Sequence, residues 1–181
     1  MATEKTGANI GDAGLFGLLA FGFSLAVLGV AFTISKSALG AATYALLYAG
    51  ALEFIGGLFL IVRGDTYLGS IIAVFGGWLL GFFMLLTQGR ALNLFNEISA
   101  ATYMFCLEPP IIFMAIPAIK ARHGVVIGAF VGLFLLVLGL GLNYLQPSDG
   151  MRYFTGAMAY VSAFFIWWLA VKDVMKLVRG E

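Results

Sequence analysis

The stretch LLYAGALEFIGGLFLIVRGDT, residues 46–66, is apolar for most of its length yet carries Glu53 near the middle of the run. Ala41, Ala45, Ala49, Glu53 and Gly57 recur every four residues, which places them on one slowly drifting ridge of a helix. Small residues on such a ridge let a second backbone approach closely. Helices in a bilayer associate largely in this way, because no hydrophobic force drives them together there. The carboxylate is therefore expected on the tightly packed face, away from lipid. Gly77 with Gly81 and Gly128 with Gly132 form similar, weaker ridges further along the chain.

Outward from this stretch the same texture continues. Of the residues, 62% are hydrophobic and only 10% charged, with a mean hydropathy of +1.02; soluble domains are typically about 45–50% apolar and about 25% charged. Apolar runs close to the ~20 residues that cross a bilayer fall at roughly 14–35, 41–62, 67–87, 99–119, 124–145 and 153–172. The expected fold class is an all-α membrane protein with six transmembrane helices over residues 14–172, between a polar N-terminal tail, 1–13, and a short C-terminal tail, 173–181. The N-terminal tail lacks the basic region and short apolar core of a secretory signal, so it is expected on the mature chain. All connections are short, so any activity is expected inside the bundle or at its mouths.

Six spans put both termini on one side, and loop charge decides which. Lys5, Arg63, Lys120, Arg122, Lys172, Lys176 and Arg179 fall on the side of the termini, against Lys36, Arg90 and Arg152 on the other. The termini are expected in the cytoplasm and the chain in a prokaryotic plasma membrane, as a multi-pass cell-membrane protein. Tyr44, Tyr67, Tyr103, Tyr144, Tyr153, Trp167 and Trp168 fall mostly towards span ends, as an interfacial belt does.

Several function classes drop out. A formal charge of +1 provides no basic stripe for nucleic acid. Cys106 is the lone cysteine and His123, in a basic turn, the lone histidine. No glycine-rich phosphate loop, metal-spaced Cys/His set or nucleophile–base arrangement is visible. Neither a cofactor nor a metal is expected, and the chain does not read as an enzyme.

What remains is a pair of carboxylates inside the spans, Glu53 and Glu108. A charge at the bilayer centre costs roughly 2.5–3.5 kcal/mol on insertion scales, so such groups are paired, protonated or solvated in a cavity. Apart from Lys172 at the very end of the last run, no lysine or arginine lies within a span to pair with them. Desolvation favours the neutral acid, which makes both candidates for proton exchange. Glu108 also precedes two prolines in FCLEPPIIF, residues 105–113. Each proline removes a backbone donor and clashes with the carbonyl four residues earlier, so helix 4 is expected to be broken or kinked at Pro109-Pro110. Irregular backbone at membrane depth persists only where protein buries it or it lines a watery cavity.

The segment LLYAGALEFIGGLFLIVRGDTY, followed by FGGWLLGFF in the third span, resembles the acetate uptake transporter family, the succinate–acetate permeases. The family pattern of Tyr-Gly-Gly, Ala-Gln and Lys-Gly-Asn-Thr-Phe reads here as Tyr48-Ala49-Gly50, Leu52-Glu53 and Arg63-Gly64-Asp65-Thr66-Tyr67. Gly17-Leu18, Phe21-Gly22, Lys120, Asn143, Ala170 and Asp173 extend the resemblance over nearly the whole chain. Three departures mark a divergent member. The family's Asn-Pro-Ala-Pro turn is replaced by Asp12-Ala13-Gly14-Leu15, its second-span glutamine by Glu53, and Glu108-Pro109-Pro110 has no family counterpart.

The resemblance implies a homohexamer in membrane lipid, with a pore in each subunit passing acetate or a related short carboxylate, by proton symport or as a channel. It implies a constriction at Phe21, Phe75 and Gly132, where the glycine replaces an aliphatic residue and widens the gap. Tyr48, Glu53 and Asn143 are then expected along the substrate path. An ionised Glu53 would repel an entering anion, so the expectation is a protonated Glu53 that donates to the carboxylate and couples its passage to proton uptake. The alternative is a passive channel for small neutral solutes such as urea, amides, ammonia or undissociated acids.

Overall fold

The computed structural model describes residues 13–179, so most of the expected N-terminal tail lies outside the described residues. Seven helices follow in order: α1 Ala13–Thr33, α2 Leu39–Val62, α3 Thr66–Met84, α4 Glu97–Phe105, α5 Glu108–Lys120, α6 Gly124–Leu145 and α7 Asp149–Arg179. α4 and α5 together make one span, so six stretches are long and apolar enough to cross a membrane. α7 continues to Arg179, and residues 173–179 are therefore helical.

The hairpin of α2 and α3 carries the opening stretch. Its turn is closed by Gly64 at φ +95°, whose N–H donates to Ile61 O while that of Asp65 donates to Leu60 O. These two bonds satisfy carbonyls that the end of α2 leaves free, and they need a left-handed residue that glycine supplies without strain. Asp65 then caps α3 by accepting from Leu68 N at 3.1 Å.

Along α2, Ala45, Ala49, Glu53 and Gly57 are buried, as the ridge requires. Ala41 is exposed and Ala42 takes the inward place, because a spacing of four overruns the 3.6-residue turn by about 40° per step. The closest backbone approach uses glycines seven apart. A Cβ on Gly57 would meet the backbone of Gly69 and Ala73, and one on Gly76 the backbone of Gly50, Glu53 and Phe54. Gly77 has only ordinary contact with Phe54, whereas Gly128 and Gly132 let α7 approach α6 through Phe165 and Ser162.

Helix α1 packs against α2 and α7, and α6 against α7, α4 and α5. In the fourth span Cys106 and Leu107 form a turn between α4 and α5. Pro109 and Pro110 sit in the first turn of α5, where a missing N–H goes unnoticed because no intrahelical acceptor exists for it. Tyr103 does not join an interfacial belt: its hydroxyl donates to Trp78 O at 2.9 Å and its ring stacks on Trp78 and Phe82.

Candidate functional site

Near the middle of the bundle Phe21 of α1 and Phe75 of α3 stack with ring centroids 5.7 Å apart and planes at 29°. Both rings are buried, as is Leu133 of α6. These three side chains are shared by two cavities, one on each side of them.

The cavity towards the α1–α2 and α6–α7 loops holds about 80 Å³ and is almost wholly apolar. Its polar groups are Ser24, Thr43, Trp78 and Tyr144. Ser24 Oγ donates to Phe21 O at 2.9 Å, Thr43 Oγ1 to Leu39 O at 2.9 Å, and Trp78 Nε1 to Tyr103 O at 3.4 Å. Phe32 and Leu39 connect this cavity to a polar mouth of about 520 Å³ lined by Lys36, Asn143, Ser148, Asp149 and Arg152. Arg152 is held there by a 2.6 Å bond from Nη1 to Phe32 O and by an ion pair with Asp149 at 3.3 Å.

The cavity towards the termini holds about 330 Å³ and is also mostly apolar, but carboxylates reach it. Its ionisable groups are Glu53, Asp65, Tyr67 and Asp173. Asp65 is engaged in capping α3, Asp173 pairs with Lys176 at 3.0 Å, and the Tyr67 hydroxyl donates to Met114 O. Glu53 is different. It is 1% exposed, and its Oε2 has no hydrogen-bond partner among the described residues. Close approach of α3 at Gly76 holds the backbone of Glu53 in place.

Placed on this geometry, the residues singled out in the sequence divide. Phe21, Phe75, Glu53 and Asn143 lie along the three cavities. Tyr48 does not: it is 53% exposed and meets Phe23 edge-on at 5.8 Å on the outer face. Gly132 lines none of these cavities; a Cβ there would point at Ser162 Oγ of α7, 2.9 Å away. Its neighbour Leu133 faces inward instead, so the gap that the glycine would have widened is closed by an aliphatic side chain. Both oxygens of Glu108 are buried without a partner among the described residues, and Glu108 lines none of the three cavities. Among the described residues no cluster of His, Cys, Asp or Glu could hold a metal ion.

Leu133, Ser24, Lys36 and Arg152 were not singled out as site residues in the sequence. The one available signal was Arg152 three residues after Asp149, which is ordinary ion-pair spacing on a helix.

The profile of the GPR1/FUN34/yaaH family matches residues 2–178 of the chain. Among solved structures, that of the bacterial acetate channel SatP aligns at a TM-score of 0.78 and 19% sequence identity, covering 95% of this chain and 96% of that one. No curated protein sequence matches the chain.

Proposed function

The chain belongs to the GPR1/FUN34/yaaH family, the acetate uptake transporter family that its sequence resembles, and from that membership we propose that each subunit carries acetate or a related short carboxylate through its three cavities in series, together with a proton. The observation that carries this reading is the position of Glu53, a buried carboxyl with an unpartnered oxygen, in the cavity that opens directly beyond Phe21 and Phe75. The likeness in fold to an acetate channel supports it.

In this reading Phe21, Phe75 and Leu133 form the constriction. Lys36, Asn143 and Arg152 collect the anion at the polar mouth, where Lys36 and Arg152 against the single carboxylate of Asp149 leave an excess of positive charge that raises its local concentration. Glu53 is the proton site. A protonated Glu53 donates to the arriving carboxylate; the O–H bond of Glu53 breaks as an O–H bond to the substrate forms, and a proton entering from the polar mouth restores Glu53, so that one proton crosses with each carboxylate. Glu108 stands outside the path and takes no part in coupling. The termini face the cytoplasm of a prokaryotic cell, the fourth span bends at Pro109-Pro110, and six copies assemble around pores that remain one to a subunit.

A second reading, passage of small neutral solutes, is favoured by the lack of any cationic side chain on the middle cavity. Labelled acetate uptake into liposomes containing the purified protein, compared with protein-free liposomes across a pH series, tests the first. Wild type is expected to exceed the background increasingly as pH falls, and Glu53→Gln to lose that dependence. An unchanged pH profile in the variant would remove Glu53 from coupling, and no uptake above background would bring the neutral-solute reading forward.

A further inference from the structure

Between α5 and α6 runs an open groove of about 230 Å³ that the proposed path does not use. Its wall is wholly apolar and includes Ile112, Ile119, Ile127, Val131 and Phe134. At its end lies the α5–α6 turn, where Lys120, Arg122 and His123 are exposed. We infer that this face binds one anionic phospholipid, with an acyl chain lying in the groove and the phosphate resting on Lys120 and Arg122.

Length and composition select a lipid chain over a helix. The wall runs from Ile111 to Ile119 on α5 and from Ile127 to Leu135 on α6, about 12 Å along each helix at 1.5 Å per residue. That is most of the ~15 Å depth of one leaflet, half of a hydrocarbon core ~30 Å thick. A helix of a second copy would cross the whole core and needs small residues opposite it to approach closely. On α6 those residues face elsewhere, since Gly128 and Gly132 admit Phe165 and Ser162 of α7. The groove presents branched and aromatic side chains instead, of which Ile112, Ile119 and Val131 are 51%, 55% and 53% exposed. Ala115 is the one small side chain on the wall, and it is buried.

The turn supplies the charge. Arg122 N donates to Ile119 O at 3.1 Å and His123 N to Ala118 O at 3.0 Å, which fixes the backbone of the basic segment against the end of the groove. Among the described residues no carboxylate pairs with Lys120 or Arg122. Arg122 stands at φ +54°, the helix-ending position that glycine ordinarily takes. A side chain there strains the backbone, and the arginine sets a permanent cation at the groove's end. A guanidinium holds phosphate oxygens through two parallel N–H donors, and basic clusters beside membrane helices recognise phosphate headgroups in this way.

Native mass spectrometry of the full chain in detergent, titrated with phosphatidylglycerol and with phosphatidylcholine of the same acyl chains, tests this. One phosphatidylglycerol per subunit is expected to bind at least about tenfold tighter than phosphatidylcholine. Lys120→Ala and Arg122→Gly are each expected to weaken phosphatidylglycerol about fivefold, the factor equivalent to one cation at a membrane surface. Arg122→Gly is expected to elute as the wild type does and to unfold no earlier, because glycine relieves the positive φ. Val131→Trp, which fills the groove and leaves both cations in place, is expected to weaken both lipids. Equal affinity for the two lipids overturns the headgroup site, and lipid binding untouched by Val131→Trp overturns the acyl seat. Loss of the assembled species in Val131→Trp on size exclusion, with lipid binding unchanged, would give the groove to a second copy instead. Displacement of the bound lipid by glycerol 3-phosphate alone would leave a phosphate site in which the chain plays no part, and would overturn the inference.

Discussion

At the scale of single residues the proposed constriction turns on neighbours one position apart. Successive residues on a helix differ by about 100° in direction, so Gly132 faces Ser162 while Leu133 faces Phe21 and Phe75. Leu133→Ala is expected to raise butyrate flux relative to acetate by about tenfold or more, since steric selection of this kind is worth that factor per methylene. Gly132→Ala is expected to leave that ratio unchanged and to cost about 1 kcal/mol of stability through its contact with Ser162. A flux ratio that moved with Gly132 and not with Leu133 would reverse the assignment. The same one-residue rotation explains Tyr48, which lies beside the buried Ala49 and consequently points outward. Glu53 was legible because a carboxylate in an apolar run stands out; Leu133 was not, because a leucine in such a run carries no signal of its own.

At the scale of elements the glycines separate into those that permit backbone contact and those that do not. Gly57→Ala places a methyl against the backbone of Gly69 and Ala73, and is expected to cost about 3 kcal/mol or to prevent folding. Gly77→Ala meets only the Phe54 ring at 3.7 Å, and is expected to stabilise α3 by about 0.5–1 kcal/mol through its lower backbone entropy. Thermal unfolding of the two variants in detergent checks the contrast; equal shifts would contradict it. Spacing by four in the sequence found the α2 ridge but missed the pairing of Gly50 and Gly57 with Gly76 and Gly69. That pairing depends on which helix lies opposite, a fact no single helix encodes. The division of the fourth span into α4 and α5 falls at Cys106 and Leu107, just before Pro109 and Pro110 in the first turn of α5.

At the scale of the whole molecule, six spans were readable from hydropathy because the bilayer imposes a length on every crossing helix. The three cavities were not readable, since each is lined by residues from helices far apart in sequence. The proposed orientation rests on the distribution of lysine and arginine, and it can be checked directly. In a Cys106→Ser background, Lys36→Cys is expected to react with a membrane-impermeant thiol reagent on intact cells, and Arg122→Cys only after permeabilisation. The opposite pattern would turn the molecule over and reverse the order in which a solute meets the polar mouth and Glu53.

The central claim is that one path through the subunit is shared by the solute and by a proton held at Glu53. Its most direct test compares labelled acetate with labelled acetamide, a neutral molecule of similar size that has no carboxyl proton to exchange, in proteoliposomes of the wild type and of Glu53→Gln. The account predicts that Glu53→Gln slows acetate at least about tenfold, the lower range for loss of a positioned proton-transfer group, while acetamide passes as fast as through the wild type. Equal slowing of both would mean that the variant only narrows or distorts the pore, and unchanged acetate flux would mean that Glu53 carries no proton for it.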